Sequence, residues 1–197
     1  MTGYLNIKKN LIHKSAIINW KKLEIGTGNI IGPYVTIGMN PQHPTEKNFG
    51  KIKIGNKNII REFSSIQLPT KLRKITRIKD DCYIMRFSNI DHDCFLENNV
   101  ILSSGTILGG NVYIMKNAQL GINSSVHQNQ VIGSYSMIGM GSIVTKKILV
   151  LPGYTFVGIP AKKKKLNNIS LKRNKISKKK LATEVLRFTK ILKKWSI

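Results

Sequence analysis

Residues 78–144, written in sixes, read IKDDCY IMRFSN IDHDCF LENNVI LSSGTI LGGNVY IMKNAQ LGINSS VHQNQV IGSYSM IGMGSI V. The first place of every six is aliphatic: Ile78, Ile84, Ile90, Leu96, Leu102, Leu108, Ile114, Leu120, Val126, Ile132, Ile138 and Val144. Two earlier runs keep the same step, Ile25–Ile31–Ile37 and Ile54–Ile60–Ile66. A period of six matches neither the helical 3.6 nor the coiled-coil 3.5, so it marks a structural repeat. Glycine often holds the second place (Gly26, Gly32, Gly38, Gly55, Gly109, Gly121, Gly133, Gly139). The fifth place is usually small (Ser64, Cys82, Ser88, Cys94, Thr106, Ala118, Ser124, Ser136, Ser142). One inward aliphatic residue and one small corner residue per six describe a triangular coil. Three sixes close a turn, so residues 18 apart should stack about 4.8 Å apart, the usual interstrand spacing.

The step fails across residues 39–53, MNPQHPTEKNFGKIK, and the polar stretch around 67–76 contains Pro69; both are expected to leave the coil as loops. Repeats stop near Lys147. LPGYTFVGIPAKKKK follows, and then a segment whose Leu181, Val185, Phe188, Leu192 and Trp195 fall on one helical face. The sequence thus predicts an all-β coil over residues 1–160 and a basic linker with a C-terminal helix over residues 161–197. The pattern resembles the hexapeptide-repeat transferases, a resemblance that implies a left-handed parallel β-helix.

With 33 Lys+Arg against 9 Asp+Glu, the formal charge is +24. Such a balance suits acidic partners: nucleic acid, anionic lipid or an acidic carrier protein. From Pro160 onward there are 14 Lys/Arg and one acidic residue, Glu184. This tail suits an acidic acyl carrier protein or peripheral contact with an anionic membrane. No basic motif interleaved with aromatics stands out, so nucleic acid is not an expected partner. Cys82 and Cys94 do not make a disulfide framework, and both hold the small corner place. The opening MTGYLNIKKN has no apolar core of a signal peptide, and a cytoplasmic location is the expectation.

Of four histidines, His92 stands out, flanked by carboxylates in Asp91-His92-Asp93. It lies between the inward aliphatic residue and the corner, and so does Asp93, so both are expected to face outward. Steps of 18 place His92, Gly110 and Gln128 in one column, and Asp93, Asn111 and Asn129 in the next. A base, an adjacent carboxylate and an approachable glycine N–H are the minimum for acyl transfer. The other reading is a solvated amide ladder with a surface histidine, and spacing alone leaves both open.

The stretches IHKSAII, NIIGPYVTIG, IGNKNIIREF, NIDHDC, NNVILSSGTILGGNV, SSVHQ and SLKRNKIS resemble the acyl-carrier-protein-dependent UDP-N-acetylglucosamine O-acyltransferases of lipid A biosynthesis. That resemblance implies a homotrimer with its site between subunits, a nucleotide-sugar acceptor, and acyl carrier protein (or acyl-CoA) as co-substrate, with no bound cofactor or metal. It implies His92 as general base, Asp93 as its orienting carboxylate and Gly110 as oxyanion donor. His127 and Gln128 match substrate contacts, and Arg173 matches an arginine near the nucleotide phosphates. Asn89 and Asn111 replace histidines usual at these substrate-binding positions. In the first loop Pro41-Gln42-His43-Pro44-Thr45 departs from the usual PQDLK. Met140 stands where bulk shortens the acyl groove, implying a short or medium acyl chain. An acetyl-CoA-dependent N-acetyltransferase on a nucleotide-linked amino sugar is the alternative. A zinc enzyme of the γ-carbonic anhydrase kind would need a third histidine near His92 and His127, and a catalytically silent member would tolerate loss of His92.

Overall fold

The structure, a computed structural model, describes residues 2–42 and 49–195. The chain winds into a left-handed parallel β-helix of triangular section. Among the described residues, short strands, mostly of two residues, alternate with tight corners and stack into three sheets of ten, seven and six strands. We call them the first, second and third faces. The first contains Tyr83–Ile84, the second Asn89–Ile90 and the third Phe95–Leu96.

The step of 18 is the observed register: Tyr83 pairs with Ile101, Asn89 with Ile107, and Phe95 with Tyr113. All twelve first-place aliphatics from Ile78 to Val144 are buried, as are Cys82, Cys94 and the small residues of their phase. Each such aliphatic side chain contributes about 1.5–3 kcal/mol of burial. Deep burial pushes the Cys82 thiol up to about 12 and raises that of Cys94 as well, so both remain protonated corner residues. Leu102 lies at the centre of the first face, with no exposed surface. Leu102→Ala should cost about 2–5 kcal/mol in urea unfolding; a loss below about 1 kcal/mol would contradict a tightly packed prism.

A further periodic place emerges from the backbone. The fourth residue of the six turns the corner with positive φ: Asp93, Asn99, Asn111, Asn117, Asn123 and Asn129 have φ between 54° and 63°. Asparagine and aspartate tolerate this left-handed region best among residues with a side chain. That requirement explains the asparagines of the repeat.

The interruptions have definite sizes. Ile54 pairs with Ile78, 24 residues on, so six extra residues leave the coil there. The strands end at Gln67 and resume at Ile75, which confines this loop to 68–74. Because the insertion equals one repeat, Leu72 stays in phase yet is exposed. Ile25 pairs with Ile54, 29 on, and the first loop lies between Met39 and Lys51. Its residues 43–48, including His43, lie outside the described residues. One further coil, with Ile12 and Ile18, precedes the first visible run; a 3₁₀ turn at Trp20–Lys22 shifts its phase.

Antiparallel hairpins close both ends. Tyr4–Ile7 pairs with Asn10–His13, and Tyr154–Val157 with Lys162–Leu166. The KKKKL segment expected as linker is therefore an edge strand, and its five residues are all exposed. Lysines on an open edge discourage strand addition from another chain. Among the described residues two helices follow rather than one, α1 (Asn168–Arg173) and α2 (Lys178–Trp195). Helix α2 lies on the third face, where Phe188 is buried with Met115 and Val131. Among the described residues no helix is long and apolar enough to cross a membrane.

Candidate active site

The edge between the second and third faces carries His92. Its Nδ1 lies 2.8 Å from Oδ2 of Asp93. Asp93 does not face outward as expected. The loop 68–74 folds over it and buries it completely. Thr70 donates from its hydroxyl at 2.6 Å and from its N–H at 3.2 Å, and the Arg73 N–H donates at 3.1 Å. Burial pushes the Asp93 carboxyl upward, but the hydrogen bonds from His92 and Thr70, with the Arg73 N–H, outweigh it and hold the group below its ordinary value. Asp93 is thus an anion at neutral pH, accepts the Nδ1 proton, and leaves the lone pair of His92 on Nε2. In this tautomer His92 can act as a base.

Gly110 stacks on His92 as the step of 18 requires. A Cβ at Gly110 would fall 2.3 Å from Cε1 and 2.4 Å from Nε2 of the imidazole. The imidazole therefore occupies the space that any other residue at 110 would fill. The ladder bonds on either side come from the Gly109 and Asn111 N–H groups, so the Gly110 N–H lies off the ladder.

Other expected contacts separate into distinct places. Asn89 is half-buried beside the base; its Nδ2 donates to Asp91 at 2.5 Å, and its Oδ1 accepts from Ser65. Asn111, expected at the substrate, is buried, with both ends of its amide engaged: Arg73 Nε donates to it at 2.8 Å and it donates to Asn129 at 2.7 Å. That amide is structural. His127 and Gln128 are exposed and border a cavity of about 430 Å³ with Lys146, Lys147, Leu149 and Leu192.

Met140 and Arg173 do not join this group. Met140, 72% exposed, lies on the edge between the first and second faces, the edge that several coils earlier carries a stack of Tyr34, Phe63 and Phe87 with ring centroids 5.1 Å apart. Arg173 borders a third edge, near Asp81, Asn99 and Asn117. Repeat phase cannot reveal the covering loop: Thr70 and Arg73 belong to an insertion. The Pro69-Thr70 turn is the available signal, and it marks only a break.

No family model matches the chain. A stretch of 66 residues is 42% identical to the acyl-[acyl-carrier-protein]–UDP-N-acetylglucosamine O-acyltransferase of Synechocystis. The chain resembles the UDP-N-acetylglucosamine acyltransferases. The Synechocystis match spans 33% of this chain and only 24% of that enzyme's length. Likeness to the solved acyltransferase structures is wider. LpxA from Bacteroides fragilis superposes with a TM-score of 0.74 at 27% identity, over 92% of this chain and 71% of that one. The Francisella novicida UDP-N-acetylglucosamine acyltransferase gives 0.71 at 25% identity, over 90% and 76%.

Proposed function

We propose that the chain is an acyltransferase of the lipid A type, moving an acyl group from acyl carrier protein to a hydroxyl of UDP-N-acetylglucosamine or a related nucleotide sugar. The carrying observation is the line Asp93–His92–Gly110, a base oriented by a buried carboxylate and stacked against a glycine that leaves room for its ring. In this reading His92 Nε2 takes the proton of the sugar hydroxyl as its oxygen attacks the thioester carbonyl carbon. The developing oxyanion accepts the Gly110 N–H. Collapse breaks the carbon–sulfur bond, and the imidazolium returns the proton to the departing thiolate.

Lys146 and Lys147, beside His127 and Gln128, suit a phosphate-bearing substrate. The separate placement of Met140 and Arg173 fits a site completed by neighbouring copies, as a homotrimer would provide. The exposed aromatic stack on the Met140 edge suits burial against such a copy.

Incubating the chain with UDP-N-acetylglucosamine, or with a UDP-linked amino sugar, and either acyl carrier protein thioesters or acetyl-CoA tests acceptor and donor together. Transfer from the carrier protein supports the reading. Transfer from acetyl-CoA alone, to an amine, supports the N-acetyltransferase alternative and refutes it. Met140 should restrict acyl length, so Met140→Gly should raise use of long donors by roughly 10-fold or more relative to short ones. An unchanged chain-length profile would remove Met140 from the groove.

A further inference from the structure

The inward end of helix α2 reaches the same edge as His92, although 122 residues separate Arg73 from Trp195. The Arg73 guanidinium lies over the Trp195 indole, 4.1 Å from the ring centroid. Its Nη2 donates to the Trp195 carbonyl at 2.7 Å, and its Nε donates to the Asn111 side chain. The indole Nε1–H donates to the Asn111 carbonyl at 2.7 Å. Asn111 in turn donates its N–H to the His92 carbonyl at 2.8 Å. The circuit closes through the Arg73 backbone N–H, which donates to Asp93 Oδ1 at 3.1 Å.

We propose that Trp195 and Arg73 form a clamp through which helix α2 sets the Asp93–His92 pair. Both are positioning residues for the acyl transfer proposed above, on which this inference rests. Neither needs to touch substrate. The chain of contacts fixes two things that the base requires. Arg73 holds the loop 68–74 so that the Thr70 and Arg73 N–H groups converge on Asp93. Trp195 fixes Asn111, which carries the His92 backbone and adjoins Gly110.

Simple anchoring of the helix does not account for the indole. Helix α2 is already held by Phe188 against Met115 and Val131, by Glu184, which accepts from the Ser134 hydroxyl at 2.9 Å, and by the Lys116–Glu184 ion pair at 2.7 Å. Trp195 adds polar and stacking contacts aimed at the loop and at the corner beside the base. Edge-on packing against Tyr113, with centroids 4.8 Å apart, holds the ring in that orientation.

The test compares Trp195→Ala, Trp195→Phe, Arg73→Ala and the alanine double variant with wild type, using two independent measurements. One is kcat and KM with acyl carrier protein thioester and UDP-N-acetylglucosamine. The other is the NMR signal of the His92 Nδ1 proton bonded to Asp93, assigned by its loss in His92→Ala. Each alanine variant should lower kcat about 10-fold, leave both KM values within about twofold, and weaken or shift the proton signal. The double variant should lose little more than either single one, as expected of groups in one circuit. Trp195→Phe keeps a ring under the guanidinium and should recover part of kcat. Leu186→Ala, at an exposed position on the same helix, should change neither measurement. An unchanged signal with unchanged kcat in Arg73→Ala and Trp195→Phe, the variants least dependent on helix packing, would overturn the clamp. If wild type transfers no acyl group while the alanine variants still disturb the signal, the clamp on the pair stands and the acyltransferase reading falls.

Discussion

Replacing His92 with alanine is expected to lower kcat for acyl transfer by about 10²- to 10⁴-fold, while the chain stays folded. The imidazole is the basic group that adjoins Gly110, and Asp93 fixes its proton on the far nitrogen. Without it, the sugar hydroxyl must attack with its proton still attached, and the departing thiolate has no paired acid. Some stability should be lost as well, because the buried Asp93 carboxylate loses the hydrogen bond from His92, so rates are compared at a temperature where both proteins are folded. Initial rates with matched thermal unfolding curves make the comparison. A rate within about threefold of wild type would remove His92 from catalysis and favour a binding or structural role.

Gly110→Ala should come close to that effect from a single methyl group. The added Cβ would stand 2.3 Å from Cε1 of His92, well inside contact distance. Either the imidazole swings off Asp93 or the corner backbone shifts, and both misalign base and oxyanion donor. A displacement on the order of 1 Å at a reacting group can cost about 10²-fold. The expected result is therefore a kcat reduced by roughly 10²-fold with a coil that still melts cooperatively. Steady-state kinetics and a melting curve check it. Ordinary turnover in the Gly110→Ala variant would show that the imidazole does not work from the position it holds over residue 110.

Much of the fold is legible because a β-helix writes its geometry into one short period. Burial of Ile84, Leu102 and Leu120 follows from their common phase, and the register of 18 follows from three faces. The stacking of His92 on Gly110 is readable for the same reason. Insertions are not readable in the same way. A loop of six extra residues leaves the phase intact, so Leu72 looks like a coil residue by position, and only composition argues otherwise. Phase alone turns Asp93 toward solvent and says nothing about a loop folding back over it. The amides at 99, 111, 117, 123 and 129 could be mistaken for ligand contacts, whereas their left-handed backbone is the first reason for them. Trp195 is legible as the end of an apolar stripe but not as a partner of Arg73, since no periodicity links residues so far apart. Met140 and Arg173 illustrate another limit: phase assigns each to its own edge, and one chain does not bring those edges together.

The central claim is that the line Asp93–His92–Gly110 transfers an acyl group to a sugar hydroxyl. Mass spectrometry of the product formed from UDP-N-acetylglucosamine and a panel of acyl carrier protein thioesters tests it most directly. The account predicts an ester: a nucleotide sugar heavier by one acyl group, released by mild base, and lost with His92→Ala. No acylated sugar with any donor in the panel, or acylation undiminished in His92→Ala, would contradict it.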